Sequence, residues 1–273
     1  MGFFTFVPLA MKHSNPIGLF DSGIGGTSIW KEINMLLPNE STIYLADSKN
    51  APYGKRSKQD IINLSIKNTD LLLSKGCKVI VLACNTATTN AISYLRKTYK
   101  DIPFIGIEPA IKPAALKTIT QNIGILATQG TLSSELFYKT SENISKDITI
   151  HEQNGDGLVE LIESGLIDSK ETFALLSKYL KPMLKKNIDC LVLGCTHYPY
   201  LIPQIKTIVG NDVTLIDSGL AVAKQLERVL ITHNLKNQHN INVQHQFYCN
   251  SDIAVLKRLV NPQSHIQIDA LDF

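Results

Sequence analysis

The sequence lacks most of the features that announce a function class, and each absence excludes something. No Cys-x-x-Cys pair occurs among the five cysteines at positions 77, 84, 190, 195 and 249, so structural zinc and thioredoxin-type chemistry have no support. Their odd number argues against a disulfide framework, and they are read as free thiols. No Lys/Arg run with interleaved aromatics appears, and the net charge is only +3 over 273 residues, which argues against a nucleic-acid partner. No stretch reaches the roughly 20 apolar residues that cross a bilayer, so no membrane association is expected. The N-terminal MGFFTFVPLAMKHSNP carries a short apolar run without a basic segment before it or a small-residue cleavage site after it, unlike a signal peptide. Met11 offers a second start for translation. With 44% hydrophobic and 19% charged residues, a globular, cytoplasmic protein is expected.

What is present is alternation. Continuous apolar runs at 17–20, 42–46, 79–83, 104–107, 123–127, 148–150, 190–194, 214–217 and 245–249 read as strands buried on both faces. Amphipathic segments lie between them, including Lys58–Lys75, Gly157–Gly165 and Lys170–Lys186, with a further helix expected over Ser251–Val260. Such alternation specifies an α/β fold with mostly parallel sheets flanked by helices. A weak internal repeat refines it. Ile17–Ser22 resembles Ile123–Thr128, and Val81–Thr86 resembles Val192–His197, at similar spacing. Two pseudo-symmetric domains are therefore expected: residues 16–108 with 218–273, and 109–217, with the site in the cleft between them.

Each half offers a cysteine at a strand exit, Cys84 before Asn85-Thr86 and Cys195 before Thr196-His197. Ligands of open α/β sheets bind at that end, and a helix N-terminus there lowers a thiol's pKa. A lone free cysteine is more often a small core hydrophobe, which is the reading given to Cys77, Cys190 and Cys249. Two cysteines at equivalent places with polar company reverse that preference. A hydrolase needs one thiolate and one base, whereas inversion of a carbon stereocentre needs a proton removed from one face and delivered to the other. His197 is the natural helper of Cys195. FDSGIGGTS (20–28) brings Asp21 and Ser22 to the first strand exit, and its glycines let backbone amides approach an anion; helix capping is the alternative role for Asp21. DSKNAPYGKRS (47–57) reads as a loop able to close over a small polar ligand, with Asp47 either charging the site or capping the turn. Glu163, read alone, is a solvated charge. A ligand-binding module without turnover and a cysteine hydrolase remain open on these residues alone.

PIGLFDSGIGG, YLADSKNAPYG, VLACNTATTNA, GIEPAIKPA, LVELIESG, LGCTHYPYLIP and LIDSGLAVA together resemble the glutamate racemase family of cofactor-independent amino-acid racemases. The resemblance implies that Cys84 and Cys195 are the two catalytic acid/bases, the first for D-glutamate and the second for L-glutamate, assisted by Asp21 and His197. It places substrate contacts on Asp21, Ser22, Tyr53, Gly54, Asn85, Thr86, Thr196 and His197, and gives Asp47 and Glu163 auxiliary roles. It implies no metal and no pyridoxal phosphate, a homodimer, and D-glutamate supplied to peptidoglycan synthesis. Ala46 replaces a common glycine, Thr88-Thr89 replace smaller residues, GTLSSELFYKTSENI keeps only part of the family's spacing around Thr128, and the last 40 or so residues match weakly.

Overall fold

The computed structural model describes residues 13–144, 147–238 and 242–273. The N-terminal features discussed above, Met11 included, lie outside them. Ten strands run β1 (Ile17–Asp21), β2 (Thr42–Ala46), β3 (Val79–Leu82), β4 (Phe104–Gly106), β5 (Asn122–Ala127), β6 (Thr149–Asn154), β7 (Cys190–Gly194), β8 (Thr214–Ile216), β9 (His245–Cys249) and β10 (Ile266–Ala270). Between them lie α1 (Thr27–Leu36), α2 (Lys58–Ser74), α3 (Asn85–Thr98), α4 (Ile111–Lys117), α5 (Gln129–Leu132), α6 (Glu135–Glu142), α7 (Leu158–Glu163), α8 (Lys170–Leu184), α9 (Ile202–Val209), α10 (Gly219–Thr232) and α11 (Ala254–Val260).

The strands form two sheets, ordered β10-β9-β2-β1-β3-β4 and β6-β5-β7-β8, and every pairing is parallel. Strand alternation explains why each sheet needs helices on both faces. Ile17, Leu19, Val79 and Val81 pack with α1 residues such as Trp30 and Ile33 and with Leu226 of α10. Their neighbours Phe20, Ile80 and Leu82 point the other way, onto Ile61 of α2 and Ala91 of α3. The second sheet repeats this: Ile123, Ile125 and Val192 meet α4 and Phe137, whereas Leu126, Leu191 and Leu193 join the same core as Leu176 and Ile205.

In each sheet the chain starts at a central strand, steps to one side and then crosses to the other. The order of strands reverses between β1 and β3, and again between β5 and β7. The carboxyl ends at these two switch points are Asp21 with Cys84, and Thr128 with Cys195. A crevice opens there for a ligand.

Two elements depart from the sequence reading. β10 was not anticipated; its Ile-Gln-Ile alternation is short and half exposed at a sheet edge, so it lacks the continuous apolar run of the inner strands. β6 runs on to Asn154 because an edge strand tolerates its polar His-Glu-Gln-Asn end. Cys77, Cys190 and Cys249 are buried free thiols in the packed core. No described helix is long and apolar enough to cross a membrane.

At the opposite, amino end of the first sheet, Lys78 is fully buried against Glu40, with Nζ 2.6 Å from Oε2. Lys78 also donates to the His13 carbonyl, and Glu40 accepts from the Asn237 amide at 2.7 Å. This pair ties β3 to the segments before β2 and β9. Removing one partner strands a charge in the core, so Lys78→Met is expected to cost about 3–5 kcal/mol in urea denaturation, and Lys78→Met with Glu40→Leu to recover most of it. Equal losses in the single and double variants would contradict this account.

Candidate active site

Cys84 caps α3, and its sulfur accepts the Ala87 amide at 3.4 Å. Its thiol donates to Ser22 Oγ at 3.7 Å, and that hydroxyl donates to Asp21 Oδ1 at 3.3 Å. Asp21 also accepts amides from Ser22 at 2.7 Å and Gly26 at 2.6 Å. Asp21 is not the cap of α1, which is Gly26; it binds the Gly26 amide and stands behind Cys84 through Ser22.

The expected lowering of the Cys84 pKa is overturned. Burial, followed by the charge of Asp21, pushes the thiol well above its ordinary value, outweighing the Ala87 amide and Ser22. Burial likewise raises Asp21, against the opposing pull of His197 and the Gly26 amide.

Cys195 leaves β7 toward the second sheet's side of the same pocket. Its sulfur lies 3.7 Å from His197 Nδ1, and His197 Nε2 lies 2.6 Å from Glu163 Oε1. The solvated-charge reading of Glu163 was wrong. Its carboxylate accepts the Ile24 amide at 2.7 Å and the Ser48 hydroxyl at 2.9 Å, both from the first-sheet side. Burial alone would lower the His197 pKa, but hydrogen bonds to Cys195 and Glu163 and their charges raise it well above the ordinary value.

The glycines of residues 20–28 do receive a carboxylate closely, and it is the protein's own. A Cβ on Gly23 would sit 2.0 Å from Glu163 Oε1, and one on Gly25 would sit 2.2 Å from His197 Nδ1. No side chain fits at either position while the His197–Glu163 pair stays in place.

One pocket joins the two cysteines, lined also by Ser22, Tyr53, Asn85, Thr86, Thr196 and His197. Gly54, Pro52, Thr128 and Val159 complete it. Cys84 and Cys195 are 4% and 7% exposed, so both thiols are largely removed from bulk water. Asn85 is buried with neither end of its amide hydrogen-bonded to the protein, an exception because buried amides ordinarily find partners. Thr86 and Thr128 hydroxyls meet at 2.8 Å across the cleft, and Thr196 Oγ1 reaches Asp21 at 3.4 Å. Asp47 does not line the cavity. It is buried behind Tyr53, whose hydroxyl donates to it at 2.5 Å, with Asn250 and Asn68 as further donors.

Sequence reading missed Val159, Ser48 and Thr131. Val159 lies one helical turn before Glu163, a spacing that puts both on one face. Ser48 and Thr131 carried no signal beyond their loops; Thr131 completes a hydroxyl triangle with Thr86 at 3.2 Å and Thr128 at 3.1 Å. Among the described residues no group of three or more His, Cys, Asp or Glu side chains is arranged to hold a metal ion.

The raised pKa of His197 makes a titration testable. Its charge adds stability in full below the unfolded pKa of about 6.5, and that contribution is lost as pH rises through the higher folded value. Nitrogen-15 NMR of labelled histidine, assigned with His197→Asn, is expected to show a cationic ring at pH about 6.5, and Glu163→Gln to lower its titration point. A ring already neutral at that pH would refute the arrangement.

The family model described as Asp/Glu/Hydantoin racemase matches residues 17–226. The chain is 43% identical over 257 residues to a glutamate racemase of Ectopseudomonas mendocina, covering 93% of this chain and 97% of that one. Among solved structures, glutamate racemase isoform RacE1 of Bacillus anthracis superposes with a TM-score of 0.84 at 31% identity, over 95% of this chain and 98% of the other. The glutamate racemase of Francisella tularensis in complex with D-glutamate gives 0.82 at 30% identity, over 95% and 98%.

Proposed function

The chain belongs to the Asp/Glu/hydantoin racemase family, and we propose that it interconverts L- and D-glutamate by proton transfer at the α-carbon between two cysteines. One observation carries the mechanism: thiols from the switch points of two different sheets line a single pocket, each backed by its own hydrogen-bond relay. The α-proton of an amino acid is very weakly acidic, so its removal needs a base held close in a water-poor site.

With L-glutamate bound, Cys195 takes the α-proton, His197 and Glu163 accommodating the charge that moves onto or off the sulfur. The carbanion then collects a proton on its opposite face from Cys84. That thiol suits the donor role because burial and Asp21 keep it protonated. With D-glutamate the roles exchange. Cys84 then becomes the base, and Ser22 and Asp21 form the path along which its proton can shift. The substrate carboxylates and ammonium are held by the unpartnered Asn85 amide, by Ser22, Thr86, Thr196 and His197, and by the backbone at Tyr53 and Gly54. Asp47 acts from behind by fixing the Tyr53 ring. The product D-glutamate serves peptidoglycan synthesis, and the protein works as a cytoplasmic homodimer; the likeness of its motifs to the glutamate racemase family supports these last assignments.

Either Cys84→Ala or Cys195→Ala is expected to cut kcat/KM for racemisation by about 10²–10⁴, followed by circular dichroism of the glutamate enantiomers. Normal turnover in either variant, or preferred turnover of aspartate by the unaltered protein, would overturn the assignment.

A further inference from the structure

The cysteine pocket is lined mostly by buried residues, and its surroundings mark the way in. Through Pro52, Gly54, Thr128 and Val159 it adjoins a second, shallower cavity. That cavity in turn shares Gly54, Lys55, Gln129, Asn154 and Asp156 with a wide surface groove. Groove, antechamber and pocket thus form one line inward, and Lys55 stands where the first two meet.

Lys55 lies on the loop following β2. Across the mouth its ammonium meets Asp156 Oδ1 at 3.2 Å, from the segment joining β6 to α7, and Glu160 Oε1 at 2.7 Å, from the first turn of α7. Beneath this bridge the two sides touch through backbone: a Cβ on Gly130 would lie 3.0 Å from the Gly54 Cα. Elsewhere the cleft is tied by bonds that are wholly or partly buried, such as Ile24 N to Glu163, Ser28 Oγ to the Thr196 carbonyl at 2.9 Å and Thr27 Oγ1 to the Tyr200 hydroxyl at 2.6 Å. At the lip the charged side chains are 58%, 60% and 39% exposed and free to separate into water.

We propose that Lys55 is the latch of the cleft: its bridge to Asp156 and Glu160 holds the lip closed, and its release opens the route by which small molecules reach Cys84 and Cys195. The latch stands independently of the racemase reading; only the identity of the traffic, an acidic amino acid, rests on it. An exposed ion pair biases an equilibrium by no more than about fivefold and is screened by salt, which suits a lip that must open in every cycle.

Alkylation by iodoacetamide, a small neutral reagent, tests this without requiring turnover. Rates at Cys84 and Cys195 are followed by peptide mass spectrometry, with buried Cys77 and Cys190 as internal references. At low salt, Lys55→Gln and the pair Asp156→Asn with Glu160→Gln are each expected to raise the cleft rates about three- to fivefold. All three changes together should add nothing further, and salt at about 0.5 M should raise the unaltered protein alone. Direct effects on thiol ionisation would instead have opposite signs, since one variant removes a cation and the other removes anions. Unchanged rates, opposite responses, or an equal rise at Cys77 and Cys190 would each overturn the latch.

Discussion

The structure depends on one constraint: ionisable groups held inside a closed cleft must be met by donors and acceptors that can come very close. A buried carboxylate or imidazole without partners is costly enough to change its protonation or unfold its surroundings. The loop at 20–28 answers this with its glycines. Gly23 and Gly25 leave the space that Glu163 and His197 occupy, and the Gly26 and Ile24 amides donate to Asp21 and Glu163. Because this loop leaves the first sheet while Glu163 and His197 belong to the second half, the same bonds that satisfy the charges also dock the two halves.

That docking is what brings the two sulfurs to one cavity, yet their settings differ. Cys84 faces a hydroxyl and a carboxylate, and burial near that negative charge keeps it a thiol. Cys195 faces an imidazole whose far nitrogen is held by a carboxylate, so a positive charge is favoured beside it. In the proposed reaction the overall geometry is nearly symmetric while the electrostatics are not. In that reaction the substrate carbon is approached on its two faces by thiols set in different electrostatic surroundings.

Much of this was legible in the residues. The repeat of Ile17–Ser22 in Ile123–Thr128 and of Val81–Thr86 in Val192–His197 corresponds to β1 with β5 and β3 with β7, the strands flanking each switch point. Continuous apolar runs announced the inner parallel strands, because burial on both faces leaves no room for alternation. What escaped notice depends on partners distant in the chain. Glu163 looks solvated because its three protein partners, Ile24, Ser48 and His197, come from other elements. The thiol of Cys84 was misjudged because a helix N-terminus is visible in sequence, whereas enclosure by a second sheet is not. β10 was missed because an edge strand is held by backbone pairing to β9 and needs little apolar content.

Why two sheets are needed follows from the geometry of the fold. A single doubly wound sheet has one switch point, and groups placed there approach a ligand from one side. Inversion at carbon requires proton exchange on both faces, so a lone unit of this kind supplies only half of the chemistry. Pairing two units with their carboxyl ends turned toward a shared cavity supplies the other half without any new local structure; each thiol still leaves a central strand of its own sheet. The continuous core running from Ile17 and Trp30 through Tyr198 to Leu176 and Ile205 then fixes the two units against each other. At the lip around Gly54 and Gly130 the contact is made instead by backbone, by the Asn90 amide on the Gly130 carbonyl and by exposed charge.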